Sequence, residues 1–307
     1  MGTHIEAACV LTRGGLRKAT ARGLADAAAR ACLAQAGRQP GEVDMLVNAG
    51  IYREDNMGEP ALAALIQEDI GANRGEPPLG GHGTFSFDLL NGACGVITAI
   101  QLESGLLRSG VIRLGVIVTS DVDPDAGSRG PAALRPAGGA ILLGWDDGIA
   151  GFTDFHFETF PEYADLYTAG LMWQGRRGIR FPRQGAGRHQ LVIDEKPGYQ
   201  ARLADCAEEA TRNFLRELGM DMADVDLLVP APADPGFLDP LRERLGVPGD
   251  RVAYTPEGLE GTHTTGPITA VQAAIRSGRL GEAGNTLMLA AGSGITVALA
   301  LYRQTPA

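Results

Sequence analysis

The chain has 307 residues, a formal net charge of −10 and an apolar fraction of 44%. Its length suits one large core or two fused halves. The acidic balance argues against nucleic-acid binding that depends on Lys and Arg neutralising phosphates, and no stretch approaches the roughly 20 consecutive apolar residues of a membrane span. We therefore expect neither a nucleic-acid nor a membrane partner.

The N-terminal sequence MGTHIEAACVLTRGG lacks the basic-then-apolar order of a secretory signal, which predicts a cytoplasmic protein. Its cysteines should then be reduced thiols. They form neither a C-x-x-C pair nor a Cys/His cluster, so we expect no disulfide framework, no metal and no cofactor. The four cysteines are Cys9, Cys32, Cys94 and Cys206.

A helix, a Gly stop, an acidic loop and a buried strand are predicted in residues 30–50, and they recur in residues 212–232 with a constant offset of 182. A second pair is less exact: residues 105–121 and 273–294 each predict a helix ending in Ser-Gly, then a loop and an apolar strand. Short apolar strands that alternate with helices indicate α/β layers. The chain is therefore predicted to be a duplicated α/β structure.

The stretch between the two halves breaks this rhythm with aromatic residues, Gly and Arg. We place the halves at 1–147 and 199–307 and interpret 148–198 as a linker, a cap or a partner-facing insertion. An ordinary long connection without chemical role is the alternative, because long loops are often functional but sometimes only mobile.

Several motifs, in this order and spacing, resemble the thiolase superfamily, and within it the ketoacyl synthase III family. They are the P-x5-I-Q-x3-G run that begins at Pro60, Phe-Asp at 87–88 followed by Ala-Cys-Gly at 93–95, PAGGAILL at 136–143, LVPAPAD at 228–234 and AAGSGITVALALYR at 290–303. The resemblance implies a thiolase fold with five α-β-α-β-α layers. It also implies an acyltransferase that condenses acyl thioesters with a malonyl carrier.

In that family a cysteine at a helix N-terminus accepts the acyl group, and a His and an Asn support decarboxylation. An ungapped alignment with the family pattern puts Ala93 at the cysteine, Ala231 at the histidine and Gly261 at the asparagine. Cys94 is one residue further along, a rotation of about 100° on a helix. His263 lies two residues beyond Gly261. The resemblance thus implies that the catalytic triad is replaced.

The last Gly-rich turn of the family, which donates an oxyanion-hole N–H, is kept as Gly292-Ser293-Gly294. The family loop that clamps coenzyme A is long, whereas only TRGGLRKAT separates strand from helix here, so coenzyme A binding is not expected. Such proteins usually dimerise through the strand that precedes the nucleophile helix, which corresponds to TFSFDLL, residues 84–90.

Two functions follow from the resemblance. The first is a non-condensing subunit of fatty-acid or polyketide-type metabolism that pairs with an active ketosynthase-like chain and docks an acyl carrier protein. The second is a non-decarboxylating acyltransferase in which Cys94 is the nucleophile, His263 the general base and Ser293 an oxyanion donor. A homodimer and a heterodimer both remain open.

Overall fold

A computed structural model describes residues 2–12, 20–52, 59–76, 81–122, 135–146, 148, 150–175, 187–232, 234–256, 258–259 and 261–304. The helices in these residues are α1 (Ala21–Ala36), α2 (Leu62–Ile70), α3 (Gly95–Arg108), α4 (Tyr199–Glu217), α5 (Pro235–Leu245), α6 (Gly266–Arg276) and α7 (Arg279–Glu282). The strands are β1 (Gly2–Thr12), β2 (Met45–Asn48), β3 (Phe85–Asp88), β4 (Leu114–Asp121), β5 (Ala137–Asp146), β6 (Gly151–Thr159), β7 (Tyr167–Gly175), β8 (Gly187–Glu195), β9 (Leu227–Ala231), β10 (Asn285–Gly292) and β11 (Thr296–Arg303).

Nine strands form one mixed sheet in the order β3-β2-β4-β5-β1-β6-β11-β10-β9. The first five belong to the N-terminal half and the last four to the C-terminal half, and the two parts meet where Thr3 of β1 pairs with Phe152 of β6. β7 and β8 pair with each other in a separate antiparallel hairpin.

The helices and the two parts of the sheet form five layers, and three apolar clusters lie between these layers. Helices α1 and α2 pack on the outer face of the N-terminal part of the sheet. Helices α4 and α5 pack on the outer face of the C-terminal part. Between the two parts, α3 and α6 share one cluster with strands of both halves. This is the predicted α-β-α-β-α architecture, which follows because each sheet part is apolar on both faces and needs a helical layer on each side.

The internal repeat is confirmed by the position of its strands. Met45, the first residue of β2, and Leu227, the first residue of β9, differ by the offset found in the sequence, and both strands are followed by residues that line the same cavity, as described below. The second pair is also confirmed, since β4 follows α3 and β10 follows α6 after the short helix α7.

The boundary between the halves differs from the one placed at 148–198. Strand β6 lies inside that stretch, yet it is a central strand that pairs with β11 from Thr159–Thr296 to Gly151–Arg303. The aromatic residues of β6 that suggested an insertion pack instead against the core of both sheet parts, as in the 5.0 Å contact between the Phe152 and Tyr302 rings. The C-terminal half therefore begins near Gly151, and the inserted segment is the hairpin β7–β8.

None of the helices in the described residues combines the length and the apolar character that crossing a membrane requires.

Candidate functional site

A cavity of about 330 Å³ lies where the two halves meet, beneath the hairpin β7–β8. Strand ends and helix starts of both halves supply its floor, and the hairpin with the first turn of α4 supplies its roof. The lining residues are Ile51, Tyr52, Gly92, Ala93, Tyr167, Ala169, Ile193, Glu195, Tyr199, Gln200, Leu203, Pro232, His263, Ala291, Gly292 and Ser293. Its size is near the lower end of the range for small-molecule sites.

Ala93 faces the cavity from the start of α3. It is the second residue of a short 3-10 turn, Gly92–Cys94, which leads directly into the helix at Gly95. A Cβ added to Gly292 would lie 3.4 Å from the Ala93 Cβ, so the two turns are in contact across the cavity floor. The side chain at the entrance of the helix is therefore a methyl group.

Cys94 is turned away from this space. Its Sγ lies 3.5 Å from the carbonyl oxygen of Thr296 and 3.7 Å from that of Ala290, between β10 and β11, and the residue is 1% exposed. Burial raises the pKa of the Cys94 thiol to about 12, with a small opposing effect from the backbone N–H of Ala298. A thiol in this environment is a buried hydrophobic group rather than a nucleophile at neutral pH.

The His263 loop is held by the buried carboxylate of Asp121, the last residue of β4. This carboxylate accepts hydrogen bonds from the backbone N–H groups of His263, Thr264 and Thr265 at 2.8 to 3.0 Å, and from the Thr264 hydroxyl at 2.6 Å. Because α6 begins at Gly266, Asp121 caps the N-terminus of that helix from another strand. The cap fixes the backbone of His263 beside the cavity.

The His263 imidazole forms a hydrogen bond with Tyr52, which lies in the loop after β2. Its Nδ1 lies 2.8 Å from the Tyr52 Oη, and the two rings meet edge to face with centroids 5.8 Å apart. The other edge of the imidazole ring faces Gly92, the residue before Ala93. A Cβ added to Gly92 would lie 3.8 Å from Cε1 and 3.9 Å from Nε2 of His263. Burial lowers the pKa of His263, and the Asp121 carboxylate opposes part of this shift. The ring is therefore mainly neutral at pH 7.

Two turns that line the cavity contain residues with backbone N–H groups. Ala93 is in the short 3-10 turn before α3, where the first N–H groups have no acceptor within the turn. Its nitrogen lies 3.8 Å from the position of a Cβ built on Gly292, and Ser293 follows Gly292 in the turn between β10 and β11. Paired backbone donors of this kind can hold the oxygen of a carbonyl on which charge develops.

The structure brings four of the sequence-predicted site residues together, namely Ala93, His263, Gly292 and Ser293. The lining does not include Cys94, Ala231, Gly261 or Gly294. Ala231 is buried at the end of β9 and faces the start of α6. A Cβ added to Gly266 would lie 3.7 Å from the Ala231 Cβ. Gly261 is an exposed loop residue with φ of +81°, a backbone conformation that favours glycine.

Sequence reasoning missed Tyr52, because nothing in its neighbourhood marks it, and its partner is 211 residues away along the chain. It also missed the aromatic roof supplied by Tyr167 and Tyr199, whose rings lie 5.0 Å apart. At the rim, the Gln200 amide donates to both carboxylate oxygens of Glu195 at 3.2 Å. Tyr167 lies on the hairpin, which periodicity did not predict, and Tyr199 begins α4 shortly after it.

The remaining expectations concern coenzyme A and metals. Most of the short loop that suggested the lack of a coenzyme A clamp, residues 13–19, lies outside the described residues. In the part of the chain that the structure describes, no group of three or more His, Cys, Asp or Glu side chains is arranged to hold a metal ion.

Comparison with known proteins gives a consistent set of likenesses. Residues 215–304 match the family model described as 3-oxoacyl-[acyl-carrier-protein] synthase III C terminal. The β-ketoacyl-[acyl-carrier-protein] synthase III of Acidiphilium cryptum is 28% identical over 283 residues, which cover 90% of this chain and 82% of that protein. The enzyme of the same name from Sphingopyxis alaskensis is 27% identical over 291 residues, 91% of this chain and 82% of that one.

Two solved structures share the fold along nearly the whole length of both chains. The 3-oxoacyl-[acyl-carrier-protein] synthase III of Aquifex aeolicus superposes with a TM-score of 0.78 at 19% identity, covering 99% of this chain and 100% of that one. The priming β-ketosynthase of the R1128 polyketide pathway gives 0.74 at 21% identity, covering 100% and 97%. At these identities the superpositions establish the architecture.

Proposed function

Because this chain is a ketoacyl synthase III-like member of the thiolase superfamily, we propose that it serves fatty-acid or polyketide-type acyl-thioester metabolism as a non-condensing subunit that pairs with an active ketosynthase-like chain. One observation carries the proposal. The residue that faces the cavity from the start of α3 is Ala93, while the thiol of Cys94 is buried against the carbonyl groups of Ala290 and Thr296.

Decarboxylative condensation needs a nucleophile to hold the acyl group and polar side chains that stabilise the thioester enolate. In this chain the positions aligned with those groups are Ala93, Ala231 and Gly261, none of which offers a side-chain nucleophile, acid or base. His263 does not replace the missing pair by itself, because one imidazole cannot take the places of both a histidine and an asparagine, and its Nδ1 is already engaged by Tyr52. The three changes together remove the chemistry of condensation and leave the core intact.

What remains suits a partner subunit. β3 is one of the two edge strands of the nine-stranded sheet. Two large apolar side chains on it or just after it, Phe85 and Leu90, are 63% and 61% exposed. An exposed edge with apolar side chains favours pairing with another strand. Through this edge the chain would complete a dimer, shape the acyl tunnel of its partner and help to dock an acyl carrier protein.

The alternative, an acyltransferase with Cys94 as nucleophile and His263 as base, is not favoured by any contact described above. It requires a thiolate that is aimed into the cavity, and burial keeps the Cys94 thiol protonated at neutral pH. It also requires the thiol and the imidazole within hydrogen-bond reach, whereas the imidazole edge that faces α3 meets Gly92.

The first test separates these two functions. The purified chain is incubated with acyl-carrier-protein and coenzyme A thioesters of several chain lengths, and its intact mass is measured beside a Cys94→Ser variant. We expect no adduct on either protein. A stable adduct on the wild type that is absent from the variant would support the acyltransferase and overturn the proposal.

The second test concerns the partner. The chain is co-expressed with a tagged ketoacyl synthase III homologue from the same genome that keeps the Cys, His and Asn residues, and each is also expressed alone. We expect a stoichiometric complex whose condensing activity exceeds that of the homologue alone. A stable homodimer that forms no complex with any such homologue would count against the subunit proposal.

A further inference from the structure

We infer that the Tyr52–His263 pair makes the cavity a hydrolytic site, where water attacks the carbonyl of a bound compact acyl or aryl thioester directly, without a covalent intermediate on the protein. This activity goes beyond the subunit function proposed above and does not depend on a partner chain. It follows from a combination that the subunit function leaves unused: a paired histidine in the wall of a cavity whose described lining residues include no cysteine.

The pair has the geometry of an oriented general base. One ring nitrogen of His263, Nδ1, is held by the Tyr52 hydroxyl at 2.8 Å, and the Asp121 carboxylate holds the backbone of the same residue. When Nδ1–H donates to Tyr52 Oη, the lone pair of Nε2 is free on the edge that faces Gly92 and the cavity. A base whose second nitrogen is fixed by a hydrogen bond is the arrangement that general-base catalysis requires.

The electrostatic surroundings keep this base unprotonated. Burial lowers the pKa of His263 and the Asp121 carboxylate opposes that shift. The Asp121 carboxylate also accepts four hydrogen bonds from residues 263–265 at the start of α6. Tyr52 and Asp121 contact His263 directly, and the other titratable residues that line the cavity are Tyr167 and Glu195 of the hairpin and Tyr199 of α4.

The carbonyl has a place beside the base. Ala93 and Ser293 both line the cavity, and Ala93 follows Gly92, the residue that the imidazole faces. An acyl carbonyl whose oxygen is directed at these donors would place its carbon near the Nε2 edge, with room above the Ala93 methyl for an attacking water. The volume of about 330 Å³ and the tyrosines of the roof favour a compact acyl or aryl group over a long chain.

The reaction balances without a further reagent. His263 Nε2 removes a proton from water as the water oxygen bonds to the thioester carbonyl carbon, and the N–H donors hold the resulting oxyanion. The tetrahedral intermediate collapses, the carbon–sulfur bond breaks, and the imidazolium returns its proton to the leaving thiolate. The products are a carboxylic acid and a thiol.

The test measures hydrolysis of acetyl, butyryl and benzoyl thioesters of N-acetylcysteamine by the full chain, with release of the free acid quantified by chromatography. We expect His263→Gln to lower kcat/KM by about 10²- to 10⁴-fold and Tyr52→Phe by a smaller factor. Two controls should keep the wild-type rate: His82→Gln, which changes an exposed histidine, and Cys94→Ser, which changes a thiol outside the cavity.

The pH profile identifies the base even where a variant folds poorly. The wild-type rate should fall on the acidic side as His263 becomes protonated, and any residual rate of Tyr52→Phe should keep that limb. Unchanged unfolding transitions of the variants complete the comparison. The inference is overturned if the wild type hydrolyses none of the three thioesters above the buffer rate, if His263→Gln hydrolyses as fast as the wild type, or if Cys94→Ser abolishes the activity.

Discussion

The Sγ atom of Cys94 lies 3.5 Å from the carbonyl oxygen of Thr296, inside the sheet, while the adjacent Ala93 methyl faces the cavity. Successive residues in a helical turn differ by about 100° in direction, so a shift of one position moves a thiol from a cavity into a core. A cysteine one residue beyond a cavity-lining position can therefore be buried in the core, as Cys94 is.

This relationship predicts that a thiol at position 93 would react where the natural thiol does not. In an Ala93→Cys/Cys94→Ala variant, the sulfur would project into the cavity at a helix N-terminus. Alkylation by iodoacetamide at pH 7.5 should be at least about a hundredfold faster than at Cys94 of the wild type. The reason is that an ordinary thiol has a pKa of about 8.5, whereas burial raises the pKa of Cys94 to about 12. Peptide mapping after a timed quench gives both rates.

The control is the Cys94→Ala single variant, in which position 93 offers only a methyl group and no reaction at this turn is expected. Alkylation of Cys94 in the folded wild type at the rate of a denatured sample would contradict the prediction. Incubating the double variant with an acyl thioester extends the test, since an adduct at residue 93 would show that the cavity still admits an acyl group.

The sequence predicted the layers well and the cavity only in part. Repeated helix and strand patterns predicted the duplication because local periodicity and burial on both faces determine it. The strand β6 was missed because its aromatic residues, such as Phe155 and Phe157, resemble those of the hairpin that follows. His263 was placed near the site by alignment, but its partner Tyr52 was not, because a contact across 211 residues leaves no local pattern.

A second prediction concerns Glu103, which is buried in the middle of α3. Neither of its carboxyl oxygens has a hydrogen-bond partner among the described residues, and a Cβ on Gly115 of β4 would overlap the carboxyl group. Burial raises the pKa of Glu103 well above its usual value. The folded state therefore retains the Glu103 proton to a higher pH than the unfolded chain does.

The sign of the pH dependence follows from this difference. Below about pH 4.3, the usual pKa of an unfolded glutamate, both states are protonated and the group carries no penalty. As the pH rises, only the unfolded state ionises, and the free energy of unfolding falls by about 1.4 kcal/mol per pH unit until the folded pKa is reached. Glu103→Gln should remove this decline.

Urea unfolding of the wild type and Glu103→Gln between pH 4.5 and 7 measures the effect. The difference in unfolding free energy between the two should change in favour of the variant as the pH rises. Glu243→Gln is the control, because Glu243 is exposed on α5, forms no ion pair among the described residues, and should leave the profile unchanged. Parallel profiles for the wild type and Glu103→Gln would show that Glu103 ionises in the folded protein.

A third prediction concerns the cap that holds the His263 loop. Asp121→Asn keeps the shape of the side chain but removes the charge from a group that accepts four hydrogen bonds at the start of α6. Unfolding should require about 1–3 kcal/mol less. The pKa of His263 should fall further, because the Asp121 carboxylate is the group that raises it against the effect of burial.

Asp88→Asn is the matched control for this change. Asp88 ends β3 and accepts hydrogen bonds from the Leu62 and Ala63 N–H groups at the start of α2, away from His263. It should lower stability by a similar amount and leave the titration of His263 unchanged. Denaturant unfolding and NMR titration of the His263 Cε1–H resonance provide both readouts, and an unchanged His263 pKa in Asp121→Asn would contradict the assignment.

The last prediction concerns association through the edge strand β3. The Phe85 ring is 63% exposed and packs on Phe87 with ring centroids 5.5 Å apart, so a charge at position 85 would lie on the apolar edge without disturbing the core. Phe85→Glu should weaken the complex of this chain with itself or with a ketosynthase-like partner by at least about tenfold, since apolar anchors at the centre of an interface often contribute more than 1–2 kcal/mol. Sedimentation velocity over a range of concentrations measures the shift. Tyr254→Glu, which changes an exposed aromatic residue of the C-terminal half, should associate like the wild type; if both variants associate equally well, the edge strand β3 is not the interface.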